Sequence, residues 1–146
     1  MRTRRPQEKR RGAALVEMAM TLPLFLTIIL GIVEFGRAMM VSQLLTNSAR
    51  EAARQSVMNG STNAETEKIV RDFLTDVLGV SAADITVTIT VTEALGNPPC
   101  GNDVSLAQRR DLCTVMVKVP FDKVSFVGGE FLASKQLLGQ CAMRHE

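Results

Sequence analysis

Twenty-one consecutive residues, Ala13 to Val33, contain one charged side chain, Glu17, and otherwise read as a rod built for lipid. As a helix the run rises roughly 30 Å, the hydrocarbon thickness of a bilayer, so it predicts a membrane span. A core helix of a soluble domain is one rival reading. Against it, a chain of 146 residues with six Phe and no Trp or Tyr has little bulk to surround such a rod. A cleavable secretory signal also opens on basic residues before an apolar run. Here no small-x-small site follows, and the helical pattern continues through VEFGRAMMVSQLLTNSAREAARQSVMNG.

Charge sets the orientation. Residues 1–12 hold Arg2, Arg4, Arg5, Lys9, Arg10 and Arg11 against Glu8, a charge of +5, which leaves −3 for the rest of the chain. Basic residues directly before a span keep its start on the cytoplasmic side. The expected organisation is a cytoplasmic leader over 1–12, a transmembrane helix over 13–33 continuing to about Asn59, and an extracytoplasmic domain over 60–146. Pro23 lies inside the helix, where it lacks an N–H and crowds the preceding turn, so it predicts a kink that leaves the Ala19 carbonyl without its usual donor.

Glu17 needs a reason to stay in an apolar helix, because a carboxylate there costs several kcal/mol unless it is paired or neutralised. It follows Ala13 by one helical turn on the same face. A cut between Gly12 and Ala13 removes the leader and creates an α-amine, a cation close to that depth. The alternative is a Glu17 solvated among the head groups.

RRGAALVEMAMTLPLF, a basic leader ending in Gly with Glu at the fifth position after it, resembles the type IV prepilin processing site. The fuller run GAALVEMAMTLPLFLTIILGIVEFGRAMMVSQLLTNSAREAAR is similar to the TadE-like family, minor pilins of the tight-adherence (Flp pilus) system. The likeness covers about Arg10 to Gln55, and the closing AMRHE also resembles the family's ending. It implies a prepilin peptidase of the bacterial inner membrane cutting after Gly12, with this protein as substrate. It also implies Glu17 as an assembly residue that aligns against a neighbour's N-terminal amine. The implied partners are other pilin or pseudopilin subunits and the proteins of the pilus assembly platform.

Later stretches are read on their own terms. In SAREAARQS, Ser48, Ala52 and Ser56 form one row of small residues and Ala49 with Ala53 another; such rows admit close helix packing, within this domain or against another subunit. Thr62 to Leu78 predicts a second helix, with a Thr62–Glu65 capping box, a stripe of Ile69, Val70, Phe73, Leu74, Val77 and Leu78, and Gly79 as its stop. DITVTITVTE alternates strictly, with Ile85, Val87, Ile89 and Val91 on one face, and CTVMVKVPF places Val115, Val117, Val119 and Phe121 together; both predict strands. Pro120 marks an edge or a strand end. A third strand is expected between Lys135 and Met143, interrupted at Gly139. The fold class is therefore α+β: a long N-terminal helix and a small domain with a second helix and a short antiparallel sheet, type IV pilin-like.

ALGNPPCGNDVSLAQRRDLC joins the first two strands. On the outer side of a membrane Cys100 and Cys113 are placed to close this loop as a disulfide, for roughly 3 kcal/mol on the chain-entropy estimate. Cys141 is then left over as a small buried residue. With no paired CxxC, and with Cys141 and the lone His145 as the other donors, no metal site or cofactor is expected. An enzyme is not expected either: the single histidine is the penultimate residue, no phosphate loop is present, and Asp72, Asp76 and Asp84 read as surface charges. The Arg-rich start lacks the interleaved aromatics of a nucleic-acid site, and nothing points to a small-molecule substrate. Two classes stay open: an assembly component cut by prepilin peptidase, and an uncut single-span anchor whose outer domain binds an envelope partner.

Overall fold

The structure, a computed structural model, describes residues 7–58, 60–126, 132 and 134–146. Of the basic leader, Arg2, Arg4 and Arg5 lie outside the described residues. Helix α1 spans Gln7–Ser56, 50 residues assigned without a break across Pro23. That corresponds to roughly 75 Å at 1.5 Å per residue. The last turns of the leader are thus helical with the span. α1 ends at Ser56, short of Asn59, which also lies outside the described residues. The chain leaves the helix because Gln55 O accepts from Met58 N (3.1 Å) and from Ser61 Oγ (2.6 Å), and Gly60 takes φ 84° in the left-handed region.

Helix α2 spans Asn63–Leu78 and is held at both ends as its sequence predicts. Thr62 Oγ1 accepts from Glu65 N and Glu65 Oε2 accepts from Thr62 N, both at 3.3 Å. Gly79, in the left-handed conformation at φ 67°, donates its N–H to Thr75 O. The apolar stripe divides, however. Val70 and Leu74 are fully buried and Leu78 is half-buried, but Ile69, Phe73 and Val77 are exposed, and Ile69 and Phe73 line a shallow groove with Asn47, Ser48 and Glu51 of α1.

Three strands follow, β1 (Thr86–Thr92), β2 (Leu112–Pro120) and β3 (Gln136–Arg144), in the antiparallel order β1-β2-β3. Ile89 pairs with Val115 and Val117 with Gly139, so the alternating apolar positions of all three strands share one face. β2 is central, and Pro120 is its last residue, where a missing donor breaks no further rung. The opposite face carries the exposed Thr86, Thr88, Thr90 and Thr92.

α1 and α2 cover the apolar face as a second layer. The core joins Val41, Leu45, Ala49, Ala52 and Ala53 of α1 to Val70 and Leu74 of α2 and to Ile85, Val115, Val117, Val119 and Phe121. At Gly139 helix and sheet backbones are in close contact: a Cβ there would lie 2.3 Å from Leu45 C and 2.4 Å from Thr46 N. The interruption expected in β3 is thus a point of backbone contact. Ser42 Oγ adds a 3.4 Å bond to Leu138 O beside it.

Candidate functional site

From Gly12 to Leu30 every residue of α1 is exposed, and α1 is the one helix among the described residues long and apolar enough to cross a membrane. Thirteen large apolar side chains between Leu15 and Val33 stand free of the domain. Leaving them in water forgoes about 1.5–3 kcal/mol each, on the order of 20 kcal/mol or more. A domain's whole stability is about 5–15 kcal/mol, so this segment requires an apolar environment that its own domain does not supply. A core helix is covered by its own fold, whereas none of this apolar window is buried among the described residues.

Gly12, Ala13 and Glu17 occupy this free part of α1. A Cβ on Gly12 would meet nothing within 4 Å, and Glu17 is exposed. Thr21 Oγ1 donates back to Glu17 O at 3.0 Å, and Thr27 Oγ1 donates to Pro23 O at 2.8 Å, so both hydroxyls are satisfied within the helix. The structure therefore presents the cleavage and assembly candidates on one exposed helical surface, with no other element packed on them among the described residues.

The small-residue rows have a different place. Ser48, Ala49, Ala52, Ala53 and Ser56 are all buried against the protein's own sheet and second helix. Ser48 and Ser56 turn their hydroxyls onto Leu45 O and Ala53 O, both at 2.8 Å, which lets a polar side chain sit inside the packing. The buried face begins earlier than the sequence reading placed it, at Glu34, fully buried, and runs through Ala38, Val41 and Leu45. Steps of four and three residues through 34, 38, 41, 45, 48 and 52 were the available signal; it is masked because the whole helix is apolar around it.

The β1–β2 connection is ordered by buried polar groups. Asp111, fully buried, accepts from Ala94 N (2.8 Å), Asn97 Nδ2 (2.6 Å) and Gln108 N (2.7 Å). Burial raises its carboxyl pKa, but these donors together with His145 outweigh that and hold it below the usual range. Asn102, at φ 65°, accepts Val91 N on its side chain and Asn63 Nδ2 on its backbone, tying the loop to both β1 and α2.

The expected Cys100–Cys113 disulfide is not formed here. The two cysteines share one buried cluster with Val91 and Val104, as the loop reading requires, but all three cysteines are free thiols. Cys100 Sγ lies 3.5 Å from Glu93 Oε1, and Cys113 is fully buried. Burial pushes both thiols up in pKa, and Glu93 pushes Cys100 further. Cys141 is half-buried against the main core. Among the described residues no three His, Cys, Asp or Glu side chains are grouped as metal ligands. Asp72 and Asp76 are exposed, and Asp84 meets Lys123 at 3.4 Å.

Residues 12–54 match the family model of TadE-like proteins. The matched stretch starts at Gly12 and lies wholly within α1, ending two residues before the helix does. No curated protein and no solved structure matches the chain.

Proposed function

We propose that this chain, whose long helix carries the TadE-like signature, is a minor pilin or pseudopilin of a tight-adherence pilus system. In this reading it resides in the bacterial inner membrane with its N-terminus cytoplasmic and its domain outside. Prepilin peptidase cuts it after Gly12, and it joins other pilin or pseudopilin subunits and the assembly platform through α1, for surface adhesion or secretion. Its role is structural.

The observation that carries the reading is a coincidence on one exposed helix. Gly12–Ala13 follows the basic run, Glu17 stands one turn further, and the family match opens at that glycine. Physically, a peptidase has to open helical backbone to reach the Gly12–Ala13 bond. A glycine lowers the cost of leaving the helix by about 1 kcal/mol relative to alanine. After the cut Ala13 bears a cation at a helix start whose first amides also lack acceptors. A carboxylate from Glu17 of an adjacent subunit satisfies both, and low dielectric strengthens the attraction.

N-terminal sequencing of the protein recovered from its native membrane separates this reading from an uncut anchor. A start at Ala13 supports it; a start at Met1 removes it. Gly12→Val adds a side chain where nothing lies within 4 Å, so the fold should be unaffected while the protein accumulates at its precursor mass. Normal maturation of that variant would overturn the assignment.

A further inference from the structure

The end of the domain nearest the apolar run carries an exposed aromatic ring that neither the core nor the processing site uses. Arg37 on α1 reaches it: Nε donates to Val124 O at 3.0 Å, and the guanidinium carbon lies 4.6 Å from the centre of the Phe126 ring. Helical side chains lean toward the helix N-terminus. Phe126 is therefore level with the turn preceding Arg37, where the run Ala13–Val33 ends. Val124 is buried in the core, but Phe126 is 70% exposed. At the same level Phe35, Met39 and Met40 of α1 are also exposed, while the neighbouring Glu34 and Ala38 are buried.

We propose that this end of the domain is a lipid footing, in which Phe126 inserts into the interfacial layer of the bilayer that α1 crosses and Arg37 sits at head-group level. The inference rests on the membrane reading of α1 and adds a second contact to it. Placing residues 13–33 in the hydrocarbon layer puts the next seven residues, about 10 Å of helix, in the head-group zone. A ring clamped to Arg37 cannot avoid that zone. The chemistry fits an interface: aromatic rings prefer its depth, and Arg buries its stem while keeping its charge at the polar boundary. Lys123 and Lys135 are exposed at the same end, but Asp84 and Asp122 stand beside them. The contact is thus apolar insertion, with little reliance on anionic lipid. Its consequence is orientation, with the domain held against the membrane at two points.

The absence of Trp and Tyr from the chain makes the test direct, because any introduced Trp is the sole strong fluorophore. The full-length protein carrying Phe126→Trp is reconstituted into phosphatidylcholine vesicles at a low protein-to-lipid ratio. Blue-shifted emission is expected, quenched more by lipids brominated near the head-group end of the chains than by lipids brominated at the bilayer centre. Leu95→Trp, in the loop at the opposite end of the domain, is expected to emit at long wavelength and to escape quenching. Phe25→Trp reports on the span itself and is expected to be quenched best by the central bromines. If Phe25→Trp is quenched and Phe126→Trp behaves like Leu95→Trp, the footing is overturned and the span stands. If Phe25→Trp also escapes, the membrane reading fails and the footing with it. Blue-shifted Phe126→Trp emission that no brominated lipid touches places the ring against protein and overturns the footing as well.

Discussion

Two single residues carry consequences out of proportion to their size. Glu17 is exposed on a helix surface that its own domain never touches, so its carboxylate supports nothing within the fold. Glu17→Ala should therefore insert, fold and be cleaved, while crosslinking to pilin partners and pilus-dependent adhesion fall. Wild-type crosslinking in that variant would leave the carboxylate as a solvated group at the membrane edge. Asp111 is the opposite case, a carboxylate whose partners are all internal. Asp111→Ala strands the amides of Ala94 and Gln108, at about 1–3 kcal/mol for each buried donor. Because its pKa is held below the unfolded value of about 3.9, its contribution is fully present above that pH and is lost as pH falls through the folded value. The difference in unfolding midpoint between wild type and Asp111→Ala should accordingly be large near neutrality and shrink in acid. A difference that does not change with pH would mean the ionised carboxylate is not what orders the loop.

At the scale of elements, α1 against β3 is the contact on which the domain is built. Gly139 permits it, since any Cβ at that position meets backbone atoms of Leu45 and Thr46 that no rotamer change can move. Gly139→Ala should force helix and strand apart and cost on the order of 1–3 kcal/mol or more, as overpacking does in a dense core. Thermal unfolding of the purified variant checks this, and an unchanged midpoint would show that the two elements tolerate a wider spacing. α2 shows a different division of labour. Its capping box and left-handed stop were readable residue by residue, because both are local hydrogen-bond devices. Which half of its apolar stripe is covered was not readable, because that depends on the angle at which α1 crosses it.

Taken whole, the molecule divides at Glu34. Before it, α1 depends on an apolar environment; after it, one face of the same helix is the spine of a domain whose buried contacts all come from residues 34 onward among those described. A chain lacking residues 1–33 should keep its helices and sheet and unfold cooperatively in mild detergent, which covers the exposed Phe35, Met39 and Met40. Circular dichroism during heating measures it. Loss of cooperative unfolding would show that the span, and not only its continuation, holds the domain together.

The sequence by itself determined the span, its charge asymmetry, the Gly12–Glu17 spacing, the α2 caps and the alternating faces of β1 and β2. Each of these is written in neighbouring residues: a run length, a hydrogen bond three residues long, or a period of two. Tertiary structure alone decided that Ser48, Ala49, Ala52, Ala53 and Ser56 pack inside this domain, that Gly139 is a helix contact, that Cys100 and Cys113 share a buried cluster, and that Phe126 meets Arg37 at the end of the span. These depend on residues far apart in the chain being brought to one place, and no local pattern records the crossing geometry that brings them there.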